Sequence, residues 1–213
     1  MQTPLKGLLF DNDGVLVDSM PGALQAWVSW GERYHQDFVL SAEYHGRRAS
    51  DIVAELVSED KFHHALDYIN QLELDQAHST TALVGTLELL ASLPDGTWNI
   101  VTGANPELAR ARLSAAGILA PQALVTAADG QKGKPDPEPY LLGAQKIGIP
   151  ISECAVFEDA PAGLVAGKLA GAALLVGIGE QTLESVADLV VVSLAGLKYS
   201  QGLLEIPDEV RLR

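Results

Sequence analysis

Residues 8–14 read Leu8-Leu9-Phe10-Asp11-Asn12-Asp13-Gly14. The apolar run predicts a short buried strand, and the polar residues after it stop that strand with a turn. Two acids one residue apart at a strand end bring both carboxyl groups close to one point. One can attack as a nucleophile while the other donates or accepts a proton. The plainer reading makes Asp13-Gly14 a turn and nothing more, and Asp-x-Asp-Gly taken alone is a weak motif.

The rest of the chain gives that stretch its context. Asn99-Ile100-Val101 runs into Thr102-Gly103, Cys154-Ala155-Val156-Phe157 into Glu158-Asp159, and Ala123-Leu124-Val125 precedes a polar loop over 128–136. Ala173-Leu174-Leu175-Val176 and Leu189-Val190-Val191-Val192 close the series, with helical patterns over 106–116, 137–147 and 161–170 between the apolar runs. This alternation predicts an α/β fold, a parallel sheet with helices on both faces. In such sheets functional residues collect beyond the carboxyl ends of the strands, where Asp11, Asp13, Thr102, Glu158 and Asp159 fall.

Between the first strand and the second lies a different texture. Pro21-Gly22 opens a helix in which Ala26, Trp27, Trp30 and Tyr34 recur near helical spacing, and residues 41–78 stay helical and polar until Ser79-Thr80-Thr81. The pattern predicts a core domain of residues 1–14 and 82–213 and a small helical insert over 15–81. An insert of that size is expected to lean on another surface. The aromatic residues of its first helix suit packing better than a sugar site. Asp18 is expected to cap that helix, and residues 203–213 to form a loose tail with at most a short strand.

The 213 residues carry 14 Lys+Arg against 28 Asp+Glu, a formal charge of −14, and the isoelectric point is about 4.6. A field of that sign repels nucleic acid and anionic membrane surfaces as principal partners. An anionic substrate then needs positive charge supplied locally. The one cysteine, Cys154, excludes an internal disulfide and a thiolate cluster, fits a reducing compartment and reads as a small buried hydrophobe. The adjacent His63 and His64 diverge on a helix and offer no zinc site, and Gly177-Ile178-Gly179 lacks the rest of a dinucleotide fingerprint. With no basic leader ahead of a long apolar stretch and no eighteen-residue apolar window, a cytoplasmic location is expected.

Crowding of Asp11, Asp13, Glu158 and Asp159 is tolerable only around a cation, and an all-oxygen site suggests Mg²⁺. The alternative for Asp159 is a helix N-cap. Lys134 lies in the proline-stiffened Gly133-Lys134-Pro135-Asp136-Pro137-Glu138, which suits an ammonium held beside phosphate or, more plainly, a surface lysine ahead of a helix. Thr102-Gly103-Ala104-Asn105 suits phosphate oxygens or, again more plainly, a helix cap.

Taken in order, Phe10-Asp11-Asn12-Asp13-Gly14-Val15-Leu16-Val17-Asp18-Ser19, Ile100-Val101-Thr102-Gly103, Gly133-Lys134-Pro135-Asp136 and Phe157-Glu158-Asp159-Ala160-Pro161-Ala162-Gly163 resemble the haloacid dehalogenase superfamily of phosphohydrolases. The likeness is to its sugar-phosphatase branch, which includes 2-deoxyglucose-6-phosphate phosphatases, with β-phosphoglucomutase nearby. It implies a Rossmann-like core with a helical cap inserted after the first strand. It also implies Asp11 as nucleophile and Asp13 as acid and base. Mg²⁺ would sit on Asp11, the main-chain carbonyl of Asp13 and Asp159, with Glu158 as a direct or water-mediated helper. Phosphate would be held by Thr102, Gly103 and Lys134. Asn12 and Val15 depart from the usual residues at positions without chemistry, whereas Asp13 speaks against dehalogenation, which needs no acid for its leaving group.

The resemblance makes His45-Gly46-Arg47-Arg48 the loop that reads the substrate, without deciding which arginine faces inward. The partner implied is a small phosphorylated metabolite. A phosphomutase is the nearest alternative and a non-enzymatic phospho-receiver a more distant one. Oligomeric state is not legible, and a monomer is compatible with every feature.

Overall fold

Strands with no polar alternation, such as Gly7–Phe10 and Cys154–Glu158, are stable only where a sheet is covered on both faces. The computed structural model, which describes residues 2–213, places them there. In chain order the strands are β1 (Gln2–Pro4), β2 (Gly7–Phe10), β3 (Val17–Asp18), β4 (Thr81–Ala82), β5 (Trp98–Ile100), β6 (Cys154–Glu158), β7 (Leu174–Ile178), β8 (Leu189–Val191), β9 (Lys198–Ser200) and β10 (Leu203–Glu205). The helices are α1 (Met20–Tyr34), α2 (Ala49–Leu56), α3 (Glu59–Gln76), α4 (Thr86–Ser92), α5 (Pro106–Ala115), α6 (Glu138–Lys146) and α7 (Pro161–Ala170).

Five strands form a parallel sheet in the order β5-β2-β6-β7-β8. Successive strands go first to one side of β2 and then to the other, so the direction of sheet growth reverses at β2. A crevice opens at such a switch point beyond the carboxyl ends of the strands. Phe10 and Phe157 stack at 4.6 Å between ring centroids and lock β2 to β6 just below it.

The chain leaves this sheet after β2 and builds α1, α2 and α3 before returning through β4. Its exit and return are paired: β3 runs antiparallel to β4, with Val17 opposite Ala82 and Asp18 opposite Thr81. The helices share an apolar cluster that includes Trp27, Trp30, Ile52, Val53, Ala65 and Ile69. The insert therefore has a core of its own, and α3 additionally rests on α5 through Asn70–Asn105 and Glu73–Arg112 contacts. As expected, the tryptophans serve that core, and the Trp30 indole N–H donates to the Ala65 carbonyl at 2.9 Å.

Other expectations need correction. Residues 203–213 are not a loose tail. β10 lies between β1 and β9 in an antiparallel sheet, Val192 N donates to Val210 O, and Leu212 N donates to Val190 O, each at 2.8 Å. This segment covers the edge of β8, whose backbone groups would otherwise stay open to other strands. The strand predicted at 8–10 is second in the chain, because Gln2–Pro4 pairs with Leu203–Glu205. Ala123-Leu124-Val125 forms only a single bridge, Val125 to Val101, since the Ala123 carbonyl is taken by the Asn99 side chain at 2.7 Å. Asp18 lies in β3, and the cap position of α1 is Ser19. Cys154 is buried at the start of β6, as read from sequence. No helix among the described residues is long and apolar enough to cross a membrane.

Trp30 is fully buried and fills the centre of the helical cluster, so Trp30→Ala should cost about 3–5 kcal/mol. Chemical denaturation read by circular dichroism checks this, and a loss under 1 kcal/mol would mean the cluster is not a packed core.

Candidate active site

Neighbouring strands lie about 4.8 Å apart, so residues just past the ends of β5, β2 and β6 meet at one place. Asp11 follows β2, and its carboxylate Oδ1 accepts from Lys134 Nζ at 2.5 Å. Lys134 also donates to Glu158 Oε1 at 2.6 Å and to the Val101 carbonyl at 3.1 Å. Its three protons are thereby committed to the protein. Glu158 is fixed in turn by the Tyr140 hydroxyl at 2.6 Å and by the Ala160 amide at 3.3 Å. Gly163 leaves room for it, because a Cβ there would run into the Glu158 carboxyl group.

Burial pushes the Asp11 carboxyl up to about 8, with Lys134 opposing and Glu158 and Asp13 adding to the rise. Burial raises Asp159 well above the carboxylate range too, and the charges of Asp11 and Glu158 add to it. Burial works against the charge on Lys134, yet Asp11 and Glu158 overcome it and hold the ammonium charged.

This set fits a divalent cation. Carboxylate oxygens of Asp11, Glu158 and Asp159 lie within 4.8 Å of one another. Asp11 Oδ2 is buried without a hydrogen-bond partner among the described residues. Gly14, at φ +86°, lies against the Asp159 carboxylate where any side chain would collide with it. Unpaired buried anionic oxygen is costly unless a cation satisfies it. Glu158 has both oxygens engaged by Lys134, Tyr140 and Ala160, which leaves Asp11 and Asp159 as the better-placed ligands.

Asp13 is gripped differently. Its Oδ1 accepts from the Ser19 hydroxyl at 2.6 Å and from Arg112 at 3.0 Å. Its Oδ2 accepts from Asn12 at 3.2 Å and from the Thr102 hydroxyl at 3.3 Å. Thr102 Oγ1 in turn accepts from the Ala104 amide at 3.1 Å. Arg112 reaches Glu73 on α3 with its other nitrogen at 3.0 Å. Burial raises the Glu73 carboxyl, and the guanidinium opposes that rise.

Over these groups lies a cavity of about 310 Å³ between the strand ends and the helical insert. Asp11, Asp13 and Asp159 line it from below, and His45, Gly46, Arg47 and Arg48 from above. Arg48 is buried and donates to the Gly130 and Lys132 carbonyls at 3.2 and 2.6 Å, tying the insert to the loop that carries Lys134. Arg47 pairs with Glu55 and lies over the Tyr44 ring. Burial lowers the affinity of His45 for a proton. Gly103 also lines the cavity, and a Cβ there would press on the Gly46 carbonyl at 3.0 Å.

The structure thus brings Asp11, Asp13, Thr102, Lys134, Glu158 and Asp159 together. It sets Lys134 and Thr102 beneath the cavity, bonded to Asp11 and Asp13. Sequence reading missed Arg112, Glu73, Ser19 and Tyr140. A signal was present for the first two. Arg112 shares the buried face of α5 with Leu108, Ala109 and Leu113, and Glu73 continues the buried series Ala65, Ile69 on α3. A charge on an otherwise apolar stripe marks a buried ion pair.

Residues 5–171 match the model of the haloacid dehalogenase-like hydrolases. The chain belongs to that family. It is 40% identical over 182 residues to hexitol phosphatase A of Escherichia coli, an alignment covering 78% of this chain and 80% of the relative. It is 33% identical over 225 residues to 2-deoxyglucose-6-phosphate phosphatase 1 of Saccharomyces cerevisiae, covering 87% of each. The β-phosphoglucomutase of Clostridium difficile superposes with a TM-score of 0.78 at 21% identity, over 89% of this chain and 92% of that one, and shares the fold. Haloacid dehalogenase-like enzymes work with a divalent metal, in keeping with the buried acidic cluster.

A cation held by Asp11 and Asp159 would have to displace the protons that burial holds there. Affinity for a divalent cation should therefore rise with pH from the ordinary carboxylate range near 4 through the Asp11 value of about 8. Titration calorimetry across that range checks this, and a flat affinity would remove both carboxylates from the cation site.

Proposed function

We propose that this phosphoric monoester hydrolase acts on small sugar or polyol phosphates with Mg²⁺ as its cation. The carrying observation is the convergence of Asp11, Asp13 and Asp159 beneath one cavity of about 310 Å³. That size is near the lower end of small-molecule sites, about 300–1,000 Å³. The names of the two phosphatase relatives, which act on a hexitol phosphate and a deoxysugar phosphate, support the substrate class.

Asp11 is the nucleophile. It attacks phosphorus, the ester oxygen leaves with its electron pair, and an aspartyl phosphate forms. Asp13 gives the leaving oxygen its proton, then takes a proton from the water that attacks phosphorus and releases Asp11 with free phosphate. Lys134 holds Asp11 Oδ1 and steadies the attacking group, with Glu158 and Tyr140 keeping the ammonium in place. Asp11, Asp159 and the main-chain carbonyl of Asp13 would hold Mg²⁺, which when bound offsets the charge of the phosphate and of the carboxylates. Gly103 and the backbone after Thr102 lie where phosphate oxygens would be received.

Residues 15–81 act as a cap that keeps bulk water from the site, and His45, Gly46, Arg47 and Arg48 face the organic part of the substrate. Arg48 holds the closed arrangement, which makes Arg47 the better reader of the two. With Mg²⁺, Lys134 and backbone amides at the site, an acidic protein can bind an anion.

Phosphate release from a panel of sugar and polyol phosphates, with Mg²⁺ and after chelation, tests the reading. Metal-dependent release with loss of ester is expected, and isomer formation without release would make the chain a mutase. Asp11→Asn should abolish turnover with the fold intact, while a labelled protein that never turns over would point to a phospho-receiver. Asp13→Asn should lower kcat/KM, which reports the transfer to Asp11, by about 10²–10⁴-fold for sugar phosphates and far less for aryl phosphates, because a phenolate leaves without an acid. Equal losses of kcat/KM on both esters would reject Asp13 as the acid.

A further inference from the structure

Arg112 is a buried cation, paired at both terminal nitrogens, on a helix that supplies no other group to the proposed chemistry. Its side chain is 7% exposed, and its two terminal nitrogens point to different acids, NH1 to Asp13 Oδ1 and NH2 to Glu73 Oε1, each at 3.0 Å. Asp13 belongs to the strand-end loop and Glu73 to α3 of the helical insert. On the same α3–α5 seam, Asn105 of the loop before α5 donates to Asn70 at 3.2 Å.

We infer that Arg112 is a positioning residue that fixes the Asp13 carboxylate, with Glu73 fixing Arg112, so that Asp13 is correctly aimed only when α3 is seated against α5. The inference rests on the phosphatase reading. Three physical points carry it. A buried ion pair adds little stability over an apolar pair of the same volume, so stability alone does not account for one lining the cavity. A guanidinium is a planar fork with fixed donor directions, and one held at both ends cannot swing, which an ammonium on a flexible stem could do. Finally, an acid–base group works only within hydrogen-bond reach of the proton it moves, so a small displacement of Asp13 is costly.

The test uses the full chain and two esters, a sugar phosphate accepted by the wild type and p-nitrophenyl phosphate. Arg112→Met combined with Glu73→Leu replaces the pair by apolar side chains and leaves neither charge stranded, while Ser19 and Thr102 still hold Asp13. This double variant should lower kcat/KM on the sugar phosphate by about 10–100-fold, through kcat rather than KM, and leave kcat/KM on the aryl ester within about threefold. Arg112→Lys, which keeps the charge without the fork, should recover part of the loss. If the double variant does not fold, Arg112→Lys alone is expected to show the same selective loss in smaller measure.

Unchanged kcat on the sugar phosphate would overturn the inference. So would equal loss of kcat/KM on both esters, which marks a structural role, or a raised KM at constant kcat, which marks contact with substrate. A wild-type protein inert toward both esters, with and without Mg²⁺, would instead overturn the phosphatase reading itself.

Discussion

The buried ammonium of Lys134 is the interaction on which the acidic end of the sheet depends. Asp11, Glu158 and Asp159 are brought together out of water, where like charges repel and desolvation favours the protonated forms. A single cation between Asp11 and Glu158 offsets part of that cost. The geometry around it is then constrained residue by residue. The Val101 carbonyl at the end of β5 takes its third proton, Tyr140 on α6 donates to the same Glu158 oxygen as Lys134, and the first turn of α7 needs a glycine at position 163 to leave the Glu158 carboxylate its place. Lys134 is thus one interior contact that draws together β2, β5, β6, α6 and the loop between α5 and α6.

What one cation cannot do is satisfy every oxygen around it. Asp11 Oδ2 remains unpartnered among the described residues, and Asp159 stays shifted toward its protonated form. The acidic end of the sheet carries a charge deficit of the kind a divalent ion would close. Once that deficit is closed an acidic chain can receive an anion, because the added positive charge would lie at the floor of the cavity rather than spread over the surface.

Legibility of the site followed the way its groups are encoded. Asp11, Asp13, Thr102, Lys134, Glu158 and Asp159 each sit just after an apolar run or among prolines, so short linear motifs in a fixed order carry them. The parallel sheet was legible for the same reason, since fully buried strands leave uninterrupted apolar runs. Arg112 and Glu73 come from helices far apart in sequence, and only tertiary packing shows that the charges on their two apolar stripes face each other. The strands β1 and β9 escaped reading, and β10 was expected only as a short strand in a loose tail, because three-residue strands carry too little pattern. Lys134 was found, but its role as a fixed partner of Asp11 and Glu158 depends on a depth that no motif specifies.

The small ladder of β3 and β4 has a wider consequence. It brings the two ends of the helical excursion side by side, so the distance the sheet must span there stays the same however long the excursion is. Closing a longer loop adds only slowly to the entropic cost, roughly 0.6 kcal/mol for each doubling. The roof of the cavity can accordingly be lengthened, recut or exchanged by changes confined to one gateway, while the strand ends beneath keep their register. Variation in the roof then leaves the register of the sheet alone and bears on the groups beneath only through the few contacts that cross the seam, among them Glu73 with Arg112 and Arg48 with the loop before α6.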